Sequence, residues 1–305
     1  MKIHFFGTPE FAVPILKTLA TSEDIEIDKV VTQPDKPGNR KVITPPPVKI
    51  AAEELDLEVL QPEKIDKGFI DQIKEDTPDA IVVVAYGEII PEELLDLPEY
   101  GCINVHPSLL PKYRGASPIQ EALLNGDEET GITIMKMDEE LDHGPILLIK
   151  RVAIDPSDDF TKLSKKLSES SAILLLLALN DIEQGILTPI PQEESKATFC
   201  RKIEKKEGEI NWNRTAEEIS NQIRALTPWP STYTDLKGKT LKILEAEILD
   251  EASPLKPGEI EIINKETFAF KTKDKLLSPT KVQLEGKPAT SSQDFINGNR
   301  KLLED

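Results

Sequence analysis

The run 79–85 reads DAIVVVA, apolar at odd and even positions alike. Successive strand residues face opposite sides of a sheet, so such a strand needs cover on both faces. That points to an α/β fold with a mostly parallel sheet and helices on both sides. The amino terminus agrees. Residues 2–6 read as a buried strand. Gly7-Thr8-Pro9 then turns the chain into a helix over about 9–20, with Thr8 as expected N-cap and proline in the first turn. A strand follows at 27–32. This β-turn-α-β opening lacks G-x-G-x-x-G, which gives poor support to a dinucleotide site.

Further along, periodicity predicts helices at 48–57, 67–75, 117–124 and 160–184, the last with Leu163, Leu167 and Leu174 on its apolar positions. Strands are expected at 59–61, 131–137 and 145–154. A polar, charged connection at 192–207 divides a first domain (1–191) from a second (208–305). In the second, 209–212 has the look of a strand and 216–226 reads as a helix ended by Pro228-Trp229-Pro230. Five stretches, 232–235, 241–248, 258–264, 267–272 and 277–283, alternate with turns as in a small barrel. Trp229 is expected in a core or at a domain seam.

The chain has 305 residues, room for two domains. Its two cysteines, Cys102 and Cys200, suit a reducing cytosol, and Cys102 reads as a small buried residue. The amino terminus starts directly with a strand, which leaves no room for a signal peptide. The longest aliphatic run, 172–179, is too short for a bilayer span of about 20 residues. A net charge of −18 argues against a general nucleic-acid binder. The charge is uneven. Residues 1–205 hold 22 Lys and Arg against 38 Asp and Glu, whereas 206–305 hold 15 against 17.

Chemistry concentrates between Asn104 and Gly144. Asn104 and His106 stand two apart at the end of a predicted strand, so they project from one face, and Pro107 ends that strand. A Ser108-Leu109-Leu110-Pro111 turn and a Lys112-Tyr113-Arg114-Gly115 segment follow, and the stretch closes on Leu141-Asp142-His143-Gly144. Two of the three histidines fall here. An amide and an imidazole can hold an oxyanion, and an imidazole and a carboxylate can manage protons. The carboxyl edge of an open α/β sheet is where ligands bind. An isolated N-x-H is more often an incidental loop feature than a site; the scarcity of histidine and the costly composition of 103–115 weigh the other way.

The segments FFGTPEFAVPIL (5–16), VVTQPDKPGNRK (30–41), VVVAYGEIIPEELLDLP (82–98), GCINVHPSLLPKYRGASPIQEALLNGDEETGITIMKMDEELDHGPIL (101–147), KIEKKEGEINW (202–212) and IRALTPWPSTY (223–233) resemble the methionyl-tRNA formyltransferases, within the larger family that uses 10-formyltetrahydrofolate. The resemblance runs almost end to end. It implies a Rossmann-like domain followed by an OB-like barrel, a monomer, and formyl transfer from 10-formyltetrahydrofolate to methionyl-initiator tRNA with no metal. It implies catalytic roles for Asn104, His106 and Asp142. Folate contacts are implied at Ser108, Leu109, Leu110 and Pro111, and at Tyr86, Gly87, Ile90 and Leu141. The polar loop 33–47, with Lys36, Arg40 and Lys41, is implied to meet the tRNA, and Arg114 is expected to join it.

The block 101–147 does not choose the acceptor, because sugar-amine and glycinamide-ribotide formyltransferases share its core. The basic loop and a complete second domain argue for a large acceptor; a sugar-nucleotide amine is the alternative. A non-catalytic folate- or nucleotide-binding module is disfavoured by the presence of Asn104, His106 and Asp142 together.

Overall fold

The computed structural model, which describes residues 1–37 and 43–304, divides into two units. The first comprises 1–118, 129–153 and 164–200; the second comprises 119–128, 154–163 and 201–305. The first unit is built on β1 (Lys2–Gly7), β2 (Glu26–Val31), the short pair β3 (Lys36–Pro37) and β4 (Ile43–Thr44), β5 (Val59–Leu60), β6 (Ala80–Val84) and β7 (Cys102–His106). It continues with β8 (Arg114–Gly115), β9 (Glu129–Lys136), β10 (Ile146–Ala153) and β11 (Phe199–Cys200). Seven strands form one sheet in the order β10-β9-β7-β6-β1-β2-β5. The run from β7 to β5 is parallel, and β9 and β10 add antiparallel strands at one edge.

The apolar run 79–85 explains the centre. β6 is buried along its whole length between β1 and β7. The connections come from α1 (Val13–Ala20), α2 (Pro47–Glu54) and α3 (Lys67–Glu75). The first two carry the chain from β1 to β5 in one direction, and α3 carries it back to β6. Right-handed crossovers therefore put α3 on the opposite face from α1 and α2. On the α3 face, Phe69 and Ile73 pack with Phe6, Val31, Ile81 and Val83. The short α4 (Glu92–Leu95) closes that cluster with Leu94 and Leu95.

One local expectation gives way to a tertiary contact. The first helix does not start at Thr8. A 3-10 turn over Glu10–Ala12 precedes α1, and no side chain caps it. The Thr8 hydroxyl donates instead to the Tyr86 carbonyl, 2.8 Å away, across the ends of β1 and β6.

The helix α5 (Pro118–Leu124) leads into β9, and α6 (Phe160–Glu183) buries Leu163, Leu167 and Leu174 as its spacing predicts. Residues 192–200, expected within a connection, are woven into the first unit. There β11 pairs with β8, and the Thr198 carbonyl accepts from the Arg114 amide at 2.8 Å. Residues 154–163 cluster with the second unit, where Arg224 donates to the Asp158 carbonyl at 3.0 Å.

The second unit contains α7 (Ala216–Leu226), β12 (Thr232–Leu236), β13 (Lys239–Leu249), β14 (Ile260–Ile262), β15 (Phe268–Lys271), β16 (Leu276–Leu284), β17 (Thr290–Ser291) and α8 (Ser292–Leu303). The strands form a curled antiparallel sheet in the order β12-β13-β16-β15-β14, a half-barrel of OB-like type, with β17 beside β16. Thr215 caps α7 in a reciprocal capping box with Glu218. The core is Ile219, Ile223, Ile243, Phe268, Phe270, Leu277 and Phe295. Residues 209–212 make one bridge, Glu209 to Tyr233, rather than a strand. The tryptophan packed on this core is Trp212, stacked on Phe270 at 4.4 Å between centroids. Trp229, expected in a core or at a seam, has 56% of its surface exposed.

Candidate active site

The sheet reverses its winding between β1 and β6, which makes their carboxyl ends a topological switch point. Strand β7 lies next to β6 and delivers Asn104 and His106 to the same edge. Both are buried, with Val105 turned the other way. Asp142 arrives from the loop between β9 and β10. Its Oδ1 is 3.4 Å from Asn104 Nδ2 and 3.5 Å from His106 Nδ1. The Gly115 amide donates to its Oδ2 at 2.7 Å. An amide donor, an imidazole and a carboxylate separated by 38 residues of sequence thus share one point.

The imidazole is oriented from behind. His106 Nε2 lies 2.9 Å from the Tyr113 carbonyl, which can only accept. Nε2 therefore carries the hydrogen, and Nδ1 is the nitrogen turned to Asp142. Neutral, Nδ1 offers a lone pair; protonated, it donates to whatever anion lies beside it. Two loops hold this geometry. Thr133 of β9 donates to the Ser108 carbonyl at 2.7 Å and accepts from the Leu110 amide at 3.1 Å. Gly115 has φ +121, and a Cβ there would stand 2.0 Å from the Cys200 carbonyl oxygen, so the close approach of β11 requires glycine. Gly144 is equally confined: a Cβ would lie 1.9 Å from the Lys136 carbonyl oxygen.

The residues expected around the folate divide into three groups by burial. Gly87 and Leu141 are open to solvent, Leu141 to 66%. Leu109 and Pro111 are half-buried. Ser108, Leu110, Tyr86 and Ile90 are buried. The Ser108 hydroxyl is spent on the Lys112 carbonyl at 2.6 Å. Tyr86 and Ile90 belong to the apolar cluster on the α3 face, where the Tyr86 ring meets Phe6 edge-on at 5.3 Å. Burial pushes the Tyr86 phenol up to about 12, helped by the charge of Glu88.

The residues expected at the acceptor are less uniform. Lys36 is exposed at the base of the β3–β4 pair. Arg40 and Lys41 lie outside the described residues. The loop's two ends are joined by Lys49, which donates to Asp35 Oδ2 at 2.9 Å and to Gln61 Oε1 at 2.7 Å. Hydrogen bonds from Gln61 and then Lys49 hold the Asp35 carboxyl below its ordinary range. Arg114 departs from expectation. Its side chain is 2% exposed and its guanidinium is taken up by Glu194, at 2.6 and 3.0 Å, and by Gln192. A guanidinium turned inward onto protein partners does not present itself to phosphate, so Arg114 is a structural brace.

One pair beside the trio escaped sequence reasoning. Gln192 and Glu194 sit in a stretch that composition marks only as polar. His143, beside Asp142, pairs with Asp138 at 2.6 Å and lies 3.4 Å from Glu194. The third histidine is remote from the site: His4 is buried in β1 against Asp28 at 2.8 Å, and burial lowers its pKa. Cys102 is buried as expected, its thiol pushed up to about 12 by desolvation. Among the described residues, no three His, Cys, Asp or Glu side chains are placed to hold a metal ion.

Residues 1–179 match the formyl transferase domain family, and 202–300 match its C-terminal domain family. A methionyl-tRNA formyltransferase from Caldicellulosiruptor saccharolyticus is 48% identical over 303 residues, covering 98% of this chain and 97% of that protein. At the level of fold, an N-formyltransferase from Helicobacter canadensis, solved with folinic acid and dTDP-3-aminofucose, matches 92% of this chain and 98% of its own. Its TM-score is 0.69 at 18% identity. HypX from Aquifex aeolicus, solved with tetrahydrofolic acid, matches all of this chain and 48% of its own, at TM-score 0.65 and 17% identity. Near-complete coverage at such identity, on both domain families, places the chain in the methionyl-tRNA formyltransferase family.

Proposed function

We propose that the protein transfers the formyl group of 10-formyltetrahydrofolate to the α-amino group of methionyl-initiator tRNA, in the cytosol. The observation that carries the reading is the convergence of Asn104 Nδ2 and His106 Nδ1 on Asp142 Oδ1. The acceptor is inferred from the relative with 48% identity over the chain, and the folate from the family and from ligands bound to solved neighbours.

The formyl donor is a co-substrate, and the site's surroundings fit it. Exposed Leu141 and the open backbone at Gly87 offer apolar cover and peptide groups to a flat heterocycle. Ser108–Pro111, Tyr86 and Ile90 complete the proposed folate-binding assignment. When the acceptor amine attacks the formyl carbon, its C=O becomes an oxyanion. Asn104 Nδ2 donates to that oxygen, a contribution of about 2.7–4 kcal/mol for comparable single donors. His106, protonated at Nδ1, donates to it as well. Asp142 accepts the proton that the amine must lose, directly or through water. The bond to N10 then breaks, N10 takes a proton relayed through His106, and tetrahydrofolate leaves. Proton count balances: one leaves the amine and one reaches N10.

Lys36, Arg40 and Lys41 are assigned to the tRNA backbone. Arg40→Ala raises KM for charged tRNA and leaves formylfolate binding intact; equal loss of both would assign the loop a structural role. The test of the whole reading is labelled formyl transfer to methionyl-initiator tRNA, with an amino-sugar nucleotide offered in parallel. Formylated methionyl-tRNA supports it. Product on the sugar alone would retain the chemistry and replace the acceptor.

A further inference from the structure

We infer that Gln192 is a positioning residue for Asp142, braced by Arg114. The inference deepens the reading above and rests on it. Gln192 Nε2 lies 2.8 Å from the Asp142 carbonyl and 2.8 Å from the Gly144 carbonyl. An amide nitrogen has two hydrogens, one for each. The other end of the same amide accepts from Arg114 Nε at 3.0 Å and Nη2 at 2.8 Å. Arginine can only donate, so it fixes the amide's orientation: oxygen to Arg114, nitrogen to the catalytic loop. Glu194 holds the remaining edge of the guanidinium.

The loop needs such a hold. Asp142 has φ +49, in the left-handed region that residues with a Cβ rarely adopt. Its carboxylate must also meet Asn104, His106 and the Gly115 amide at once. Arg114 and Gly115 are neighbours in sequence. One grips the Asp142 backbone through Gln192, and the other grips its carboxylate directly. The two holds come from the same short strand, β8, which β11 pins from the other side. Gln192 reaches none of the reacting groups itself, so its action passes through Asp142.

Gln192→Glu separates this role from a merely structural one. It keeps an acceptor for Arg114, and strengthens it by charge. It also sets a carboxylate oxygen against two carbonyl oxygens where two hydrogen bonds stood. A residue that serves only to bury Arg114 tolerates that change. A residue that holds the loop does not. The expected result is a kcat lower by about 10²-fold, the scale of a displacement of about 1 Å, with both KM values within roughly threefold of wild type. In an Asp142→Asn background the same change adds almost nothing, because both act through one carboxylate. Deuterium uptake by the peptide spanning 136–146 rises in Gln192→Glu, a readout independent of any substrate. Wild-type kcat, losses that multiply in the double variant, or unchanged deuterium uptake would overturn the inference. A wild-type protein that formylates nothing would overturn the proposed reaction instead, and the exchange measurement would still decide the role of Gln192.

Discussion

The catalytic edge and the acceptor loop of the first unit are held in different ways. At the end of β7, hydrogen bonds with backbone groups do the holding. The Gly115 amide fixes the Asp142 carboxylate, the Tyr113 carbonyl fixes the His106 ring, and Thr133 bonds both a carbonyl and an amide of the 108–111 turn. At the acceptor loop, the ends are joined by side chains. Lys49, Asp35 and Gln61 tie its flanks together, with the two charged groups only partly buried. Positions set by backbone hydrogen bonds are precise and costly to alter. Positions set by surface ion pairs are screened and adjustable. A formyl group offers one small carbon, and proton transfer needs groups within hydrogen-bond reach. A tRNA offers a long charged backbone, for which approximate placement of cations suffices. On the proposed assignment, the difference follows the size of what each region handles.

The largest effect of substitution is expected at the end of β7. Asn104→Ala lowers kcat by about 10²–10³-fold with little change in either KM, as for removal of a single oxyanion donor. Steady-state kinetics with both substrates varied will show it; a rise in KM alone would make Asn104 a ground-state contact. The next effect is at the loop. Lys49→Met raises KM for charged tRNA by roughly tenfold, equivalent to about 1.4 kcal/mol, and leaves KM for formylfolate unchanged. Equal changes in both would erase the distinction between the regions. The smallest effect is electrostatic. The hydrogen bond that His143 donates to Asp138 raises the His143 pKa above its ordinary 6.5, with Glu140 and Glu194 adding to it. Any stability from this pairing is complete below pH 6.5 and is lost as pH rises through the raised folded value. The melting temperature therefore falls between about pH 6 and about pH 8 by slightly more in wild type than in His143→Gln. Identical pH dependence in the two would mean that the His143–Asp138 pair adds nothing to stability.

How much was legible in the sequence depended on the range of the interaction. The strand at 79–85 and the helices at 67–75 and 216–226 follow from local apolar pattern and caps, and they formed where expected. Asn104 and His106 share a face by period two alone. Asp142 could be placed with them only by resemblance, because nothing local brings it across 38 residues. Arg114 shows the opposite failure. Beside Lys112 it reads as surface charge, yet Gln192 and Glu194, 78 and 80 residues on, draw it inside. Thr8 has every local mark of an N-cap and spends its hydroxyl on Tyr86 instead. Trp229 looks like core by composition, whereas Trp212 is the one stacked on Phe270. Each difference comes from a long-range partner that local pattern does not encode.

In the proposed mechanism Asp142 takes part in the chemistry rather than merely completing the loop. Single-turnover formyl transfer by Asp142→Asn, with formylfolate and methionyl-initiator tRNA both saturating, tests it most directly. Asparagine preserves shape and can still accept from Gly115, but it cannot take a proton. The account predicts a rate lower by about 10²–10⁴-fold, the range for loss of a positioned general base, with formylfolate binding unchanged. Transfer at the wild-type rate would contradict it.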